Sequence, residues 1–429
     1  MKNTILVIGL LFLVILSPLM AADPTDPYNP NKDDGYVYEQ TAEPFEATNI
    51  WSLSMGGAGL GMKGYSESFL KNPANLPGTG FQLSIPGVTI TGHNIRKMLE
   101  SSMIDDFASG DPSRMMSGGL EFLSLFEQGY GDFLTTDITL LSMNVGGLGV
   151  ALQAQERLMT YKPTYNATSI SLIAQFTTAA TVGFGYNIPI IDKWLDIDLG
   201  VNARFIYKGY LEGLNGDSIM GDIFDEESGG FDVSSMFLGN RALMVGWSLP
   251  ITIGANVNGP WGFSLSMVGR NFNSKQYMTA FTSLDDWALQ NFGQSISGGE
   301  GTTEPTIGDF EVAGQPTFDL GFTWSKNFGN NLLHPTISLD FVDFGQMANL
   351  SGDDLTRAFW STTRFGASVR VLNIFDLRYG LNKGYHSIGV GLDLFVFHLD
   401  VAYYTKEYDE RLGNKPIDAL SLRIGLISR

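Results

Sequence analysis

The side chains best suited to chemistry are few and scattered. The chain contains four histidines and no cysteine. The histidines are His93, His334, His386 and His398. No two of them have the His-x-x-x-His spacing that places two imidazoles on one side of a helix around zinc. The sequence therefore predicts no metal site, and without cysteine there are no disulfides, thiolate ligands or cysteine nucleophile.

One pair of residues has the types needed for acid–base chemistry. Alternate residues of a strand point to the same face, so His398 and Asp400 share a face if their segment is a strand. A hydrolase of the Ser/His/Asp kind also needs a serine beside the histidine, and no serine is placed to complete the set. We therefore expect no catalytic residue, no cofactor and no enzymatic activity.

Two further stretches have compositions that bind ligands in other proteins. The segment 209–240 is acidic, and Asp222, Asp225 and Glu226 carry oxygens that suit Ca²⁺. It lacks the EF-hand pattern, however, and a solvated loop explains it better. The glycine-rich stretch 56–61 is not preceded by a strand or followed by Lys-Ser or Lys-Thr, so it does not match a phosphate-binding loop.

The composition favours a membrane barrel over a soluble enzyme. The net charge is −19, which disfavours a nucleic-acid partner because such a partner selects a basic surface. Charged residues make up 17% of the chain, against about 25% in a typical soluble domain. Glycine accounts for 51 of 429 residues and aromatic residues for 12%. Few charges with many glycines and aromatics are typical of transmembrane β-barrels.

The first residues predict export. Lys2 is followed by an apolar run from Ile5 to Leu16 and by the small residues Ala21-Ala22. This is the pattern of a cleaved secretory signal peptide, here residues 1–22. No later stretch reaches the length of an apolar transmembrane helix. Residues 23–50 are rich in Asp, Pro, Asn and Tyr and predict an acidic periplasmic tail.

Alternation with period two predicts an all-β chain. From Leu195 to Phe205 apolar residues alternate with Asp, Gly, Asn and Arg, as on a strand with one apolar and one polar face. Several such segments have about ten residues, enough to cross a bilayer at a tilt. We predict a transmembrane antiparallel β-barrel of about fourteen strands, an even number as in bacterial barrels, with one long strand kinked at 177–180. The predicted strands are 81–93, 133–145, 147–160, 166–188, 195–208, 241–257, 261–273, 315–327, 334–345, 359–372, 374–382, 385–394, 396–406 and 418–427.

The polar strand faces predict a lumen that is filled. Their charges have both signs, which argues against an open pore selective for one charge. They suit contents that hydrogen-bond to the wall, or ladders that hold the wall together. The candidate lumenal residues are Asp196, Asp198, Arg204, Arg270, Arg378 and Asp400. Short connections after even-numbered strands and long ones after odd-numbered strands predict that both termini are periplasmic.

Two long connections, 94–132 and 274–314, are unusually apolar for surface loops. Their apolar residues have roughly helical spacing. Either short helices pack on each other and cap the barrel mouth, or these residues form a landing site for a hydrophobic ligand, to which methionine adapts well. The candidate contacts are Met98, Met103, Phe107, Phe122, Phe126, Phe281, Trp287 and Phe292.

Two groups of motifs resemble a known family. Met55-Gly56-Gly57-Ala58-Gly59, followed by Asn72-Pro73-Ala74-Asn75-Leu76, resembles the N-terminal signature of the FadL family of outer-membrane transporters for long-chain fatty acids and other hydrophobic compounds. The C-terminal segments 378–384, 389–392 and 400–404 are similar to the same superfamily, including its PorV group linked to protein secretion. The resemblance implies a barrel over 81–429 and a lumenal hatch over 51–80. The matching hatch residues are Met55, Gly56, Gly57, Ala58, Gly59, Asn72, Pro73 and Ala74.

The resemblance also implies a mechanism. In that family the ligand lands among apolar extracellular loops, enters a pocket and leaves sideways when the N-terminal segment shifts, beside an inward kink in an early strand. The implied function is passive uptake across the cell outer membrane by a monomer. Its partners would be outer-membrane lipids, a hydrophobic small molecule and the barrel-assembly machinery.

Three alternatives remain open from the residues. They are a PorV-like barrel that scaffolds or shuttles exported proteins, a structural outer-membrane protein or adhesin, and a soluble exported β protein. The chain departs from the family in its long acidic tail. It also ends in Ile427-Ser428-Arg429, without the terminal aromatic residue that many outer-membrane barrels carry.

Overall fold

One closed antiparallel sheet forms the body of the protein. The computed structural model describes residue 45 and residues 49–109, 111–126, 128–162, 169–191, 194–215, 242–293, 308–312, 314–329, 332–348, 350–394, 396–408 and 412–426. Each strand pairs antiparallel with the next one around the sheet. The last strand pairs with the first, with Leu422 opposite Ile90, and this pairing closes the sheet into a barrel.

The barrel has fourteen spanning strands, four of which consist of two consecutive segments. In chain order they are β1 (Gln82–Ser84 and Gly87–His93), β2 (Gly129–Val145), β3 (Leu148–Lys162), β4 (Ser171–Ile191), β5 (Leu195–Asn215), β6 (Leu243–Ser248 and Ile251–Asn258), β7 (Phe263–Phe272 and Gln276–Phe281), β8 (Gly308–Val312 and Thr317–Ser325), β9 (Leu333–Phe341), β10 (Thr363–Val371), β11 (Phe375–Asn382), β12 (Tyr385–Leu394), β13 (Phe397–Glu407) and β14 (Pro416–Leu426). The predicted all-β barrel and its even strand count are confirmed.

The two faces of the wall differ as the alternation predicts, and the polar face is the buried one. In β5, Asp198 and Asn202 are buried, whereas Leu199 and Val201 are 40% and 42% exposed. The same pattern holds in the C-terminal strands, where Leu377 and Val390 are exposed. A soluble domain buries its apolar face, so this wall is inverted relative to a soluble fold.

Short helices occupy the segment before β1 and the long connections. They are α1 (Ile50–Ser54), α2 (Ser68–Lys71), α3 (Ile95–Glu100), α4 (Met103–Ala108), α5 (Pro112–Ser124), α6 (Leu284–Phe292) and α7 (Gly352–Thr362), with 3-10 turns at Pro73–Asn75, Pro260–Gly262 and Phe344–Met347. Within the ranges given above, no helix is long and apolar enough to cross a membrane.

The connections differ in length at the two ends of the barrel. Even-numbered strands are followed by short turns, such as Gly146-Gly147, where both residues have positive φ as a tight hairpin requires. Odd-numbered strands are followed by nearly all the long connections, including those that hold α3, α4 and α5. We call the two ends of the barrel the short-turn end and the long-loop end. That the short-turn end faces the periplasm remains a prediction.

The predicted kink in the long strand was placed wrongly. A single strand, β4, covers this region, and residues 177–180 pair regularly with both neighbours. The register with β5 shifts instead at Leu172–Ala174 and at Pro189–Ile191. Neighbouring Thr and Ala residues do not by themselves break a ladder, because each still supplies its backbone donor and acceptor.

Parts of the predicted loops belong to the sheet. β7 continues through Gln276–Phe281 and β8 begins at Gly308, so the predicted loop 274–314 was too long. Conversely, the predicted strand 359–372 begins only at Thr363, because α7 extends to Thr362. Short apolar runs fit a helix or a strand equally well, and pairing partners decide between them.

The sequence also makes predictions outside the described residues. They concern the signal peptide, nearly all of the acidic tail and the acidic residues Asp222, Asp225 and Glu226.

Candidate functional site

Residues 49–80 form a compact segment, here called the inner segment, whose turns follow from its glycines. Asn49 caps α1 by accepting a hydrogen bond from the backbone of Trp51 at 2.9 Å. Beyond α1, Gly56, Gly57 and Gly59 have φ of +68°, +83° and +111°. Residues that carry a Cβ rarely adopt such positive φ angles, so glycine is required where the chain reverses here.

Asparagines join the inner segment to the buried face of β6. Asn72 donates to Asn256 Oδ1 at 2.8 Å. Asn256 in turn donates to the carbonyl of Ala74 at 3.0 Å and to Asn75 Oδ1 at 2.9 Å. Asn72 also caps the 3-10 turn by accepting from the backbone of Ala74 at 3.0 Å. The Asn-Pro-Ala motif is therefore a contact between the inner segment and the wall.

A carboxylate and an amine fix the first half of the inner segment. Asp340 of β9 accepts from the backbone of Leu60 at 2.8 Å. Lys71 donates to Ser52 Oγ at 2.9 Å and to the carbonyl of Gly57, so it ties α2 to the stretch around α1. Because Asp340 and Leu60 are buried, either of them left unpaired would lose its hydration without replacement.

Two ion pairs connect the inner segment to separate strands of the wall, β14 and β5. Glu67 accepts from both Nη atoms of Arg423 at 3.0 and 2.6 Å, and Lys63 pairs with Asp198. Burial alone would raise the pKa of Glu67, but the Arg423 guanidinium and its hydrogen bonds outweigh burial and lower that pKa. Glu67 is therefore held in its charged form.

Glycines in the wall make room for the inner segment. A Cβ at Gly200 would lie 2.2 Å from the backbone carbon of Pro73, and one at Gly254 would lie 2.1 Å from Asn72 Oδ1. Both distances are far below a van der Waals contact. Such close approaches occur on eight strands, at Gly149, Gly183, Gly185, Gly200, Gly254, Gly321, Gly366, Gly380 and Gly389. These contacts explain why glycines alternate with apolar residues along the strands, since the inward positions leave no room for a side chain.

A polar cavity of about 440 Å³ lies at the short-turn end of the inner segment. One of its walls is Trp51, whose ring is contacted by the guanidinium groups of Arg370 at 4.9 Å and Arg378 at 4.6 Å. Another wall is His398, whose Nε2 lies 2.6 Å from Asp400. The described residues contain no group of three or more His, Asp or Glu side chains that could hold a metal ion.

The six predicted lumenal charges are all placed on the buried side of the wall or at its end. Arg204 donates to the carbonyls of Phe45 and Leu70, and Asp198 pairs with Lys63, so these two contact residues N-terminal to the barrel. The other four mainly bind other wall residues. Their bonds are Asp196 to Asn187 and Asn258, Arg270 to Asp319, and Arg378 to Asp376 and Asp400. Both roles weighed from the sequence are thus present.

The sequence alone did not reveal an apolar cluster towards the long-loop end of the lumen. It consists of Tyr130, Met159, Ile173, Tyr210, Met244, Met278, Ala280 and Val312. Beside it, Asp132 accepts from Arg157 at 2.7 Å and from Lys406 at 3.2 Å. These residues come from strands distant in sequence, so only the strand register brings them together.

The residues predicted as loop contacts for a ligand do not form one surface. Phe122 and Phe126 pack edge-to-face against Phe133 of β2 near the buried Leu123. Met98 is half-buried, Met103 is buried, Phe292 is 69% exposed, and the Phe107 side chain lies outside the described set.

Phe281 was assigned wrongly to a loop. It ends β7 and packs in a separate cluster with Leu243, Val245 and Trp287. The apolar pattern found the clusters but did not show which surfaces they cover.

Comparisons with known proteins return barrels of several kinds. No protein-family model matches the chain, and no curated protein matches it. The solved toluene transporter TodX of Pseudomonas putida matches with a TM-score of 0.44 and 11% identity, over 90% of this chain and 98% of that one. A FadL homologue of Pseudomonas aeruginosa matches with a TM-score of 0.40 and 11% identity, over 89% and 99%. The translocator domain of the Neisseria meningitidis autotransporter NalP matches with 0.33 and 11%, over 81% and 88%. Similarity at this level does not assign a function.

Proposed function

We propose that this chain is an outer-membrane transporter of the FadL type, which takes up hydrophobic small molecules passively through a plugged barrel. The observation that carries the proposal is the inverted wall, with buried polar residues facing an inner segment and apolar residues exposed around the outside. A bilayer gives such an outer face a favourable environment, and a closed barrel leaves no strand edge unpaired in it.

The dimensions of the outer face support a membrane location. Ten residues separate Ile197 from Tyr207 on β5, which at about 3.3 Å per residue and a tilt of about 40° gives a height of about 25 Å. Outward aromatic rings lie near both limits of this band. Trp194 is 6.4 Å from Trp261 at the short-turn end, and Trp247 is 4.9 Å from Tyr277 towards the other end. Aromatic girdles at both interfaces are typical of outer-membrane barrels.

The layout of the lumen supports transport of an apolar molecule. The packed apolar cluster around Met159, Met244 and Met278 lies towards the long-loop end of the lumen. Methionine side chains adapt to flexible apolar ligands. The inner segment then separates this cluster from the polar cavity at the short-turn end. We propose that the cluster receives the ligand and that long-chain fatty acids, which the motif resemblance implies, belong to its substrates.

The inner segment is suited to act as the hatch over residues 51–80. Hydrogen bonds and ion pairs supply many of its wall contacts, for example those of Asn72 and Glu67. Water can replace the partners of an amide such as Asn72 at a net cost of about 0.5–1.5 kcal/mol for an ordinary hydrogen bond. The buried pair of Glu67 and Arg423 is the costlier contact to open.

The resemblance implies a lateral exit beside an early strand. Another part of the wall is better suited to such an exit. β6, β7 and β8 are interrupted side by side, after Ser248, Phe272 and Val312. Among the described residues, regular pairing stops at these interruptions, where Arg204 N–H still donates to the carbonyl of Pro250 at 3.0 Å and Asn273 Nδ2 to the carbonyl of Leu249 at 3.1 Å. An interrupted ladder is locally disrupted and makes this part of the wall easier to open. We propose this site, rather than β4, as the lateral exit.

Uptake by intact cells tests the proposed function. Cells without their own transporter would express the wild type, Met244→Lys or Met244→Leu, and would be given radiolabelled oleate. We expect Met244→Lys to reduce uptake several-fold, because it places a charge in an apolar cluster, whereas Met244→Leu keeps wild-type uptake. Heat-modifiable migration of the detergent-extracted protein checks that each variant is folded.

Two results would contradict the proposal. One is equal uptake by Met244→Lys and the wild type when both are folded. The other is recovery of the protein in the soluble periplasmic fraction. If the folded wild type transports neither oleate nor other hydrophobic compounds but retains an exported protein at the membrane, the PorV-like alternative is favoured instead.

A further inference from the structure

Phe45 is the first described residue of the chain, and it lies deep in the lumen. It is only 4% exposed and packs with Ala179 of β4 and Ile206 of β5, which are buried on the lumenal face. Its carbonyl accepts a hydrogen bond from Arg204, which also donates to the carbonyl of Leu70 at 3.0 Å. Phe45 is therefore fixed inside the barrel, next to the inner segment.

The contacts along β5 show on which side of the inner segment Phe45 lies. β5 begins at the short-turn end, and its Asn202 donates to the carbonyl of Phe69 in the inner segment at 3.0 Å. Ile206, which contacts Phe45, is four residues further along the strand. Tyr210, another four residues along, belongs to the apolar cluster. Phe45 thus lies between the inner segment and the apolar cluster, on the long-loop side of the inner segment.

The inner segment fills the lumen below this level. A Cβ at Gly200 of β5 would lie 2.2 Å from the backbone of Pro73, and one at Gly183 of β4 would lie 2.9 Å from the Phe69 ring. The segment also contacts β2, β3, β6 to β12 and β14. The polar cavity lies elsewhere, beside β10, β12, β13 and β14. Among the described residues, the packing below Phe45 leaves no space for a second passage of the chain.

The chain makes one such passage after Phe45. Asn49, four residues later, borders the polar cavity at the short-turn end and donates to Glu67 at 3.3 Å. From Phe45 to Asn49 the chain therefore runs towards the short-turn end. A return of the preceding residues to that end would need the second passage that the packing excludes.

We propose that the chain before Phe45 leaves the barrel at the long-loop end, so that the acidic segment 23–44 lies on the outer surface of the cell and not in the periplasm. The inference rests on the proposed function, because it needs the long-loop end to face outwards. The segment carries six acidic residues and one lysine. On this side of the membrane it is accessible to partners in the medium.

The length of the segment is sufficient for this path. Residues 23–44, fully extended, reach about 70 Å. Ile206 lies nine residues before the end of β5 at Asn215, a height of about 23 Å at a rise of about 3.3 Å per residue and a tilt of about 40°. The segment can therefore pass the apolar cluster and extend beyond the rim.

Cysteine labelling of intact cells tests this topology, because the chain has no native cysteine. Asp34→Cys, in the acidic segment, would be treated with a maleimide carried on a polymer too large to cross the outer membrane. The reaction would be repeated after permeabilisation of that membrane. We expect complete labelling of Asp34→Cys on intact cells and no increase after permeabilisation.

Two exposed positions serve as matched controls for the two sides of the membrane. Thr356→Cys lies on α7 in a long connection and should react on intact cells. Asn327→Cys lies in the short turn after β8 and should react only after permeabilisation. If these two controls react the other way round, the barrel has the opposite orientation, and both this inference and the proposed function fail.

A disulfide tests the position of Phe45 directly. Phe45→Cys combined with Ala179→Cys should cross-link on mild oxidation, because the two residues belong to one packed cluster. Phe45→Cys combined with Ala402→Cys, a buried position on β13, should not cross-link. Heat-modifiable migration would check that both variants are folded.

Three results would overturn the proposal while the controls react as expected. They are labelling of Asp34→Cys only after permeabilisation, labelling only after denaturation, and no cross-link between positions 45 and 179 in the folded barrel. Oleate uptake by the Asp34→Cys cells reports separately on transport. Failure of the labelling test with intact uptake would reject this topology alone, whereas the expected labelling without uptake would reject the transport function alone.

Discussion

Glu67 and Arg423 are 356 positions apart in sequence and form a buried ion pair with hydrogen bonds of 3.0 and 2.6 Å. Glu67 precedes α2 of the inner segment, and Arg423 lies on β14, the strand that closes the barrel against β1. Each side chain is less than a tenth exposed. Removal of one partner of such a pair leaves a buried charge uncompensated, which typically costs about 3–5 kcal/mol.

The first prediction concerns this ion pair. Glu67→Gln should loosen the inner segment while the barrel stays assembled, because Arg423 loses its only ionic partner recorded among the described residues. Hydrogen–deuterium exchange should become faster in peptides covering residues 60–76 and stay unchanged in β11 and β12. Glu67→Met combined with Arg423→Met should be closer to the wild type, because an apolar pair of similar volume leaves no charge buried. Equal exchange in Glu67→Gln and the wild type would show that the pair does not hold the segment.

The second prediction concerns pH. The pKa of Glu67 is lowered in the folded protein, so its contribution to stability is fully present above the unfolded value of about 4.3. That contribution is lost as the pH falls through the folded pKa. In planar bilayers, the wild type should conduct less than Glu67→Gln above pH 5, and the two should converge as the pH is lowered further. A difference that stays constant over the whole acidic range in which the barrel remains folded would contradict the assignment.

The third prediction concerns the glycines that face the inner segment. Gly254→Ala places a methyl group against Asn72 and Gly200→Ala places one against the backbone of Pro73. Either change should displace the inner segment and increase conductance. Gly425→Ala is the matched control, because the added Cβ would lie 3.8 Å from the nearest atom, which is an ordinary van der Waals distance. If Gly425→Ala raises conductance as much as the other two, the effect comes from the wall and not from the contact.

The sequence predicted the wall better than the contents of the lumen. Period-two alternation in residues such as Leu199 and Asn202 is a local signal, and it correctly predicted which side chains face inwards. The contact of Asn72 with Asn256 spans 184 positions. Its partners depend on how strands are registered around the barrel, which no local pattern contains.

The position of apolar loop residues was equally hard to predict. Trp287 and Phe281 were expected to meet a ligand, but they pack with Leu243 and Val245 on the outer side of the wall. Hydrophobicity indicates that burial of a side chain is favourable, but it does not show which surface buries it. The apolar cluster around Met159 and Met278 was missed for the same reason, since its members come from separate strands.

The fourth prediction concerns the inner segment as a whole. Deletion of residues 51–76 should turn a closed barrel into a water-filled channel, because the wall alone encloses a polar lumen. Proteoliposomes containing the deletion variant should swell rapidly in small sugars, whereas those containing the wild type should not. Heat-modifiable migration should persist in both, because closure of the sheet depends on the pairing of β14 with β1.

A deletion elsewhere controls for general loosening of the barrel. Removal of residues 352–357 shortens α7, which lies in a long connection. None of the hydrogen bonds and ion pairs given above joins residues 352–357 to the inner segment. This variant should remain closed to sugars. Unchanged permeability after deletion of 51–76, in a barrel that remains heat-modifiable, would mean that other parts of the chain close the lumen, and it would remove the basis for calling residues 51–80 a hatch.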